Sequence, residues 1–478
     1  MDVHVSLIGR RDLSGEIYRQ LRRAILEGRL RAGEPLPPSR ELARRLSVAR
    51  TTVTVAYERL AGEGYVRSRI GAGTFVSEDA ARTTARTAAS RRAPGPLRPR
   101  AVWNAVPPFV AFRQPARYDF RTGVPDATLF PHDRWRRLMA HELRTDRSAG
   151  LYGDPAGHRP LREAIARHIA VSRGVDATAE DITITNGTQQ AVDLVARVLL
   201  EPGDRVAVED PGYPPPRRLF ETSGARVVGV PVDRDGLVVD DLPRHTRLVY
   251  VTPSHQYPLG VSLSLERRRA LLAWAERNDA AILEDDYDSE FRFHGRPVEP
   301  LHTLDGTGRV IYVGTFSKTL LPALRLGFVV APPSLHAALH RAKRLTDWHT
   351  SVPAQATLAR FIDTGEFARH LRRVGAVYRQ RHDLLRQALA RDLAEHLEAV
   401  PSNAGLHVAA LARTASAGRI ATVAERAAAL GVQVQELARF AVSARPPAIG
   451  LLLGYGLIPA ADIGPGLALL KAAFEEPS

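Results

Sequence analysis

Cysteine is absent from this chain of 478 residues. Disulfides, thiolate metal sites and cysteine nucleophiles are therefore excluded, and no metal site is expected. Long apolar runs are absent as well. Nothing approaches the roughly 18 consecutive apolar residues of a membrane helix. The opening stretch, MDVHVSLIGRRDL, lacks the charged-then-apolar pattern of a secretory signal. The expectation is a cytoplasmic protein without a membrane partner. Lysine is nearly absent. Of 66 basic residues only Lys318, Lys343 and Lys471 are lysine. Arginine serves a surface as well as lysine does, but its guanidinium never deprotonates and cannot form a Schiff base. Lys318 lies in the small, hydroxyl-rich loop Gly314-Thr315-Phe316-Ser317-Lys318-Thr319-Leu320, after an apolar run. It is either a solvated charge or the covalent anchor of an aldehyde cofactor, and the rest of the chain must decide.

What is present in excess is positive charge, and it is uneven. Residues 1–115 hold 21 arginines against 10 acids, so most of the net charge of +14 sits in the first quarter. That suggests a nucleic-acid-binding end on a nearly neutral body. Leu13, Ile17, Leu21, Ala24 and Ile25 recur at helical spacing, with Gly28 as a stop. Ser39 is a plausible N-cap for a short helix burying Leu42, Ala43 and Leu46. A turn at Ser47-Val48-Ala49 leads to a second helix burying Val53, Ala56, Tyr57 and Leu60. Its other face carries Arg50, Thr51, Thr52, Thr54 and Arg59. Tyr65-Val66-Arg67, the turn Gly71-Ala72-Gly73 and Thr74-Phe75-Val76 then read as a two-stranded wing. Helix, turn, helix and wing together describe a DNA-binding module. The run LPPSRELARRLSVARTTVTVAYERLAGEGYVRSRIGAGTFV resembles the winged helix of GntR-type regulators over nearly its whole length. That resemblance implies that Ser39, Arg40, Arg50, Thr51 and Thr52 face double-stranded operator DNA. It also implies that Gly73 approaches the minor groove.

The domains expected are a winged helix over 1–77, a basic linker over 78–115 and a body over 116–478. The linker is rich in Ala, Arg, Thr, Ser, Pro and Gly. A flexible coil of its length spans on the order of 35 Å. In the body, β-rich runs alternate with helical segments, the pattern of an α/β fold with a largely parallel sheet. Ligands bind such sheets beyond the carboxyl ends of the strands. At those ends lie Asn186-Gly187-Thr188, Glu209-Asp210-Pro211-Gly212-Tyr213, the loop TPSHQYPLG from Thr252, Glu284-Asp285-Asp286-Tyr287-Asp288 and the Lys318 loop. An anion cradle, an aromatic ring, an acid beside a phenol and a lysine at one sheet edge match what pyridoxal 5′-phosphate (PLP) requires.

From about residue 118 onward the chain resembles the fold-type I aminotransferases. The resemblance implies Lys318 as the catalytic lysine that forms the imine, Asp285 at the pyridine nitrogen and Tyr287 at the ring oxygen. Tyr213 would stack on the ring, and Gly187, Thr188, Thr315, Ser317 and Arg325 would hold the phosphate. Tyr152, in YGDPAGHRPLR, matches a position that reaches into the partner subunit's site. Arg445 is the candidate for an effector carboxylate, with Arg439 competing. Where aminotransferases carry Asn-Pro-x-Asn-Pro-Thr-Gly, this chain has TPSHQYPLG, so the asparagine near the ring oxygen is replaced in the His255–Gln256 region. His255 is either a cofactor contact or a loop histidine with partners of its own. A winged helix followed by an aminotransferase-like domain resembles the MocR/GabR-type regulators. That implies a head-to-tail homodimer, a small amino-compound effector or PLP itself as the signal, and a domain that senses rather than turns over. The alternative is an active PLP-dependent aminotransferase with a DNA-binding appendage.

Overall fold

Ile17, Leu21, Ala24 and Ile25 are buried along one face of helix α1 (Leu13–Leu26), as their spacing requires. Asp12 caps this helix, its carboxylate accepting from the Gly15 amide at 2.9 Å. Helix α2 (Ser39–Leu46) and helix α3 (Arg50–Gly62) follow, joined through Ser47 in the left-handed region. Ser39 is not the cap expected. Pro38 holds that position, and Ser39 opens the helix without a capping bond. Its hydroxyl lies instead 3.5 Å from Arg50 Nε. Val53, Ala56, Tyr57 and Leu60 pack inward from α3, and the Tyr57 hydroxyl donates to the Pro37 carbonyl at 2.7 Å. Strands β1 (Val66–Arg69) and β2 (Gly73–Val76) pair antiparallel with Arg69 opposite Gly73. These elements share one small core.

The computed structural model describes residues 12–69, 72–78, 97–107, 116–144, 150–293, 298–444 and 446–475. The chain divides into two compact units, residues 1–100 and 101–478. Residues 101–107, expected to belong to the linker, thus group with the second unit, where Ala101–Ala105 forms a 3-10 turn. Most of the remaining linker, 79–96, lies outside the described residues, as do 108–115, Gly71 and Arg445.

The second unit is built on an eight-stranded sheet. Its strands in chain order are β4 (Ile182–Thr185), β5 (Arg205–Asp210), β6 (Arg226–Asp233), β7 (Gly236–Leu237), β8 (Thr246–Val251), β9 (Ala281–Asp286), β10 (Val310–Thr315) and β11 (Gly327–Val330), after the short strand β3 (Tyr118–Asp119). In space the order is β4-β11-β10-β9-β8-β5-β6-β7. The neighbours β10-β9, β9-β8, β8-β5 and β5-β6 are parallel, while β11 runs antiparallel to both β10 and β4. Near-continuous apolar strands covered by helices on both faces are what a parallel sheet demands. The reversal of β11 has a functional consequence. Its first residue, Gly327, pairs with Thr315 at the end of β10, so the preceding Arg325 joins the edge where the parallel strands finish. A four-stranded antiparallel sheet follows toward the C-terminus, ordered β12 (Leu397–Ala399), β13 (His407–Ala412), β16 (Gly450–Gly454) and β15 (Gln435–Glu436). Strand β14 (Val432–Gln433) pairs parallel with β3, fastening the start of the unit to this second sheet's neighbourhood.

Candidate cofactor site and nucleic-acid interface

Five strand ends and the Arg325 turn enclose a cavity of roughly 680 Å³. That is within the usual range for a small-ligand site. Lys318 reaches it from the turn after β10, held by Phe316 and Leu320, which are buried on either side. The Lys318 Nζ donates to the Gly123 carbonyl at 2.7 Å. Burial lowers its pKa, against the opposing pull of Asp288 and Asp285. A half-buried amine whose charged form is disfavoured is a better nucleophile than a fully solvated one.

Asp285, at the end of β9, faces the same cavity. One carboxylate oxygen accepts from the Tyr250 hydroxyl at 2.7 Å. The other is buried and has no hydrogen-bond partner among the described residues. Burial raises the carboxyl pKa to about 7. An orphaned buried acceptor beside a lysine fits a ligand that brings a ring N–H, and the pyridine nitrogen of PLP is such a group. Tyr213 and Tyr287 also line the cavity, and burial pushes the Tyr213 phenol up to about 12.

The anion cradle lies at the start of the helix Thr188–Leu199. Gly187 precedes it at φ +77°, and a Cβ there would stand 3.0 Å from the Arg325 guanidinium. Arg325 donates to the Asn186 carbonyl at 2.6 Å and lines the cavity with Thr188. Thr315 and Ser317 complete this corner, their hydroxyls 3.1 Å apart. Helix N-terminal amides, hydroxyls and a guanidinium are groups that can hold a phosphate by ordinary electrostatics. The expected residues that the structure brings to one cavity are therefore Thr188, Tyr213, Asp285, Tyr287, Thr315, Ser317, Lys318 and Arg325, with Gly187 shaping the cradle.

His255, expected as a cofactor contact, is not among the residues lining the cavity. Its ring is 2 % exposed and lies behind the cavity wall. Nδ1 is 3.0 Å from Asp288 and 3.1 Å from the Tyr287 hydroxyl, and Nε2 is 3.0 Å from the Ser402 hydroxyl. With both nitrogens partnered inside the protein, the ring orients Tyr287 and Asp288 and touches no ligand space. Gln256 is likewise turned inward, donating to the Pro211 carbonyl at 2.8 Å. The residues of TPSHQYPLG that face the cavity are Thr252 and Tyr257, the latter preceding a cis proline. The Tyr257 hydroxyl is 3.0 Å from that of Thr122, which donates to Gln435 at 2.7 Å. Arg121, Thr122, Gln435 and Phe440 also line the cavity, and sequence reasoning missed all four. Arg121 is held by Asp119, with Nε 2.9 Å from both carboxylate oxygens.

Arg439 does not reach the cavity. It is an exposed side chain paired with Glu436 at 2.8 Å. Tyr152 is 77 % exposed and stacks on Trp348 at 4.7 Å, away from its own chain's cavity. In the first unit, Arg40, Arg50, Thr51 and Gly73 are exposed, and Ser39 and Thr52 are partly exposed. The Ser39–Arg50 contact brings the starts of α2 and α3 together. Gly73 has open space around a built Cβ, so its φ of +109° is what favours glycine there.

The sequence matches two family profiles. Residues 13–76 match the bacterial regulatory proteins of the gntR family, and residues 120–445 match the class I and II aminotransferases. The chain is 40 % identical over 465 residues to the probable rhizopine catabolism regulatory protein MocR of Rhizobium meliloti, covering 96 % of this chain and 93 % of that one. It is 39 % identical over 396 residues to the HTH-type transcriptional regulator TauR of Rhodobacter capsulatus, covering 80 % of each. Among solved structures, an archaeal alanine:glyoxylate aminotransferase superposes with a TM-score of 0.71 at 29 % identity, over 76 % of this chain and 91 % of that one. A gntR-type winged helix, an aminotransferase domain whose cavity fits PLP, and regulators aligned with this chain over 80–93 % of their length lead to one conclusion: the chain belongs to the MocR/GabR-type family of PLP-dependent, DNA-binding transcriptional regulators.

Proposed function

We propose that the protein reads the state of its cavity and reports it to an operator. The observation that carries this reading is Lys318, a half-buried amine of lowered pKa that shares one cavity with an Asp285 oxygen unpaired among the described residues. When bound, PLP supplies an electrophilic aldehyde carbon and a ring that withdraws electrons from it. Lys318 offers its Nζ to that carbon. Asp285 accepts the ring N–H with the oxygen that Tyr250 leaves free. Tyr287 donates toward the ring oxygen, oriented by His255, and Tyr213 supplies an aromatic face. Thr188, Thr315, Ser317 and Arg325 hold the phosphate. An amino compound entering the cavity competes with Lys318 Nζ. The displaced amine has an acceptor at hand in the Gly123 carbonyl, 2.7 Å away. The neighbouring residues are tied to the C-terminal part of the unit, Thr122 to Gln435 at 2.7 Å and Asp126 to Arg381 at 2.6 Å. A change at Lys318 thus has a bonded route into the 121–126 segment. Arg445 is the proposed grip for an effector carboxylate.

The active form is a homodimer in this reading. Leu151, Tyr152, Leu345 and Trp348 are large apolar side chains left exposed, and a second copy arranged head to tail would cover them and receive Tyr152 in its site. The winged helix would bind the operator through Ser39, Arg40, Arg50, Thr51, Thr52 and Gly73. Hydroxyls and helix starts would hold phosphates, and arginines would read guanine edges.

A second reading, an active aminotransferase, is favoured by the full set of Lys318, Asp285 and Tyr287. Steady turnover of an amino acid with a keto acid would establish it. The sensor reading is tested by titrating the PLP-loaded protein with a panel of amines and amino acids. At least one should shift the visible absorption without sustained product release. Indifference to the whole panel, with PLP bound, would contradict an amino-compound signal.

A further inference from the structure

Lys343 is the second of only three lysines in a chain with 66 basic residues. It is wholly buried, on the helix Pro333–Thr346. Its Nζ donates to both Asp347 oxygens, at 2.7 and 2.8 Å, and lies 3.2 Å from the Thr350 hydroxyl. It does not line the cavity. Asp347 is the branch point. Its Oδ2 also accepts from Asn186 Nδ2 at 2.6 Å and from Gln190 Nε2 at 2.8 Å. Gln190 in turn accepts from the Asn186 amide at 2.8 Å, and the Asn186 carbonyl receives Arg325 at 2.6 Å.

These bonds converge on the loop that presents Gly187 and Thr188. We propose that Lys343 and Asp347 are positioning residues for the phosphate cradle. They hold the Asn186–Gln190 turn in the shape that aims its amides, and Arg325, at the anion. Asp347 alone would place a carboxylate, itself anion-repelling, behind a phosphate site. Lys343 neutralises it and fixes its orientation, so that Oδ2 takes the side-chain amides of Asn186 and Gln190. A compact ammonium with three donors fits this enclosed corner, where a planar guanidinium would need more room. This explains a lysine at a position that is neither solvated nor in contact with ligand space.

The inference rests on the PLP reading of the cavity, and the experiment separates the two. PLP dissociation constants are measured by absorbance and fluorescence titration, with inorganic phosphate as competitor, for the unsubstituted protein, Lys343→Met, Gln190→Met and Lys471→Met. Folding is followed by circular dichroism. Lys471 is the control, because it is half-exposed and 3.6 Å from Glu475. Lys343→Met should weaken PLP affinity about tenfold or more and weaken phosphate competition with it. The absorption maximum at saturating PLP should be unchanged, since the Lys318 end is untouched. Gln190→Met cuts the same chain without opening the core and should weaken PLP in the same direction, which keeps the test alive if Lys343→Met fails to fold. Lys471→Met should bind as the unsubstituted protein does. Unchanged PLP affinity in folded Lys343→Met, or in Gln190→Met when the former does not fold, overturns the inference. An unsubstituted protein that takes up no PLP overturns the cofactor reading and this inference together.

Discussion

At the scale of residues, the cavity stores its chemistry in side chains whose charge is disfavoured by burial. Asp285 is the clearest case. Its pKa is raised from 3.8 to about 7, first by burial. Between those values the folded protein keeps a proton that the unfolded chain has released. Stability without ligand should therefore fall as pH rises through that window. Asp285→Asn removes the ionisable group. The pH dependence of the melting temperature of the PLP-free protein should flatten, by up to about 1.4 kcal/mol per pH unit of stability. PLP affinity should drop in the same variant, because the acceptor for the ring N–H is weakened. An unaltered pH profile would contradict the assignment of this carboxyl. His255 acts through its neighbours. Replacing it with leucine leaves buried Asp288 without its imidazole partner, and should cost about 1–3 kcal/mol of stability, read from chemical denaturation. Of the residues at the site, those following an apolar strand were legible in sequence. Lys318, Asp285 and Tyr287 stand just beyond β-rich runs, where an α/β sheet puts its ligands. Thr122, Gln435 and Phe440 carried no such mark. Thr122 stands more than 300 positions before Gln435 and Phe440, and only the fold brings them to one cavity, where Thr122 donates to Gln435. His255 misled because a histidine in a ligand loop reads the same whether its ring points out or in.

At the scale of elements, periodicity carries most of the information. The inward face of α3 and the pairing of β1 with β2 follow from helical and alternating spacing. The reversal of β11 was not visible, since a buried strand is apolar whichever way it runs. Yet that reversal delivers Arg325 to the cavity. The start of α3 carries the DNA-binding prediction. Arg50 is exposed and adjacent to Ser39. Arg50→Ala should weaken operator binding and lower the slope of log affinity against log salt by about 1 if the contact is to phosphate. Loss of discrimination between operator variants with an unchanged slope would mean a base contact instead. Unchanged affinity and slope would remove Arg50 from the interface.

At the scale of the whole molecule, a basic quarter and a nearly neutral body divide the labour that the family requires. That division is legible in the distribution of arginine along the chain. The exposed quartet of Leu151, Tyr152, Leu345 and Trp348 bears on assembly. An apolar patch of this kind marks an interaction surface. Trp348→Glu should shift the protein toward monomer in sedimentation velocity; an unchanged dimer would place the interface elsewhere. In the proposed function, occupancy at Lys318 is transmitted to DNA, and this coupling can be measured. It is tested most directly by measuring operator affinity with and without PLP, and with PLP plus the amine panel, for the unsubstituted protein and Lys318→Ala. The unsubstituted protein should change its affinity with PLP or with an amine, and Lys318→Ala should lose both the visible absorption and the amine response while its winged helix still binds DNA. Operator affinity indifferent to PLP and to every amine, or an amine response that survives in Lys318→Ala, would contradict it.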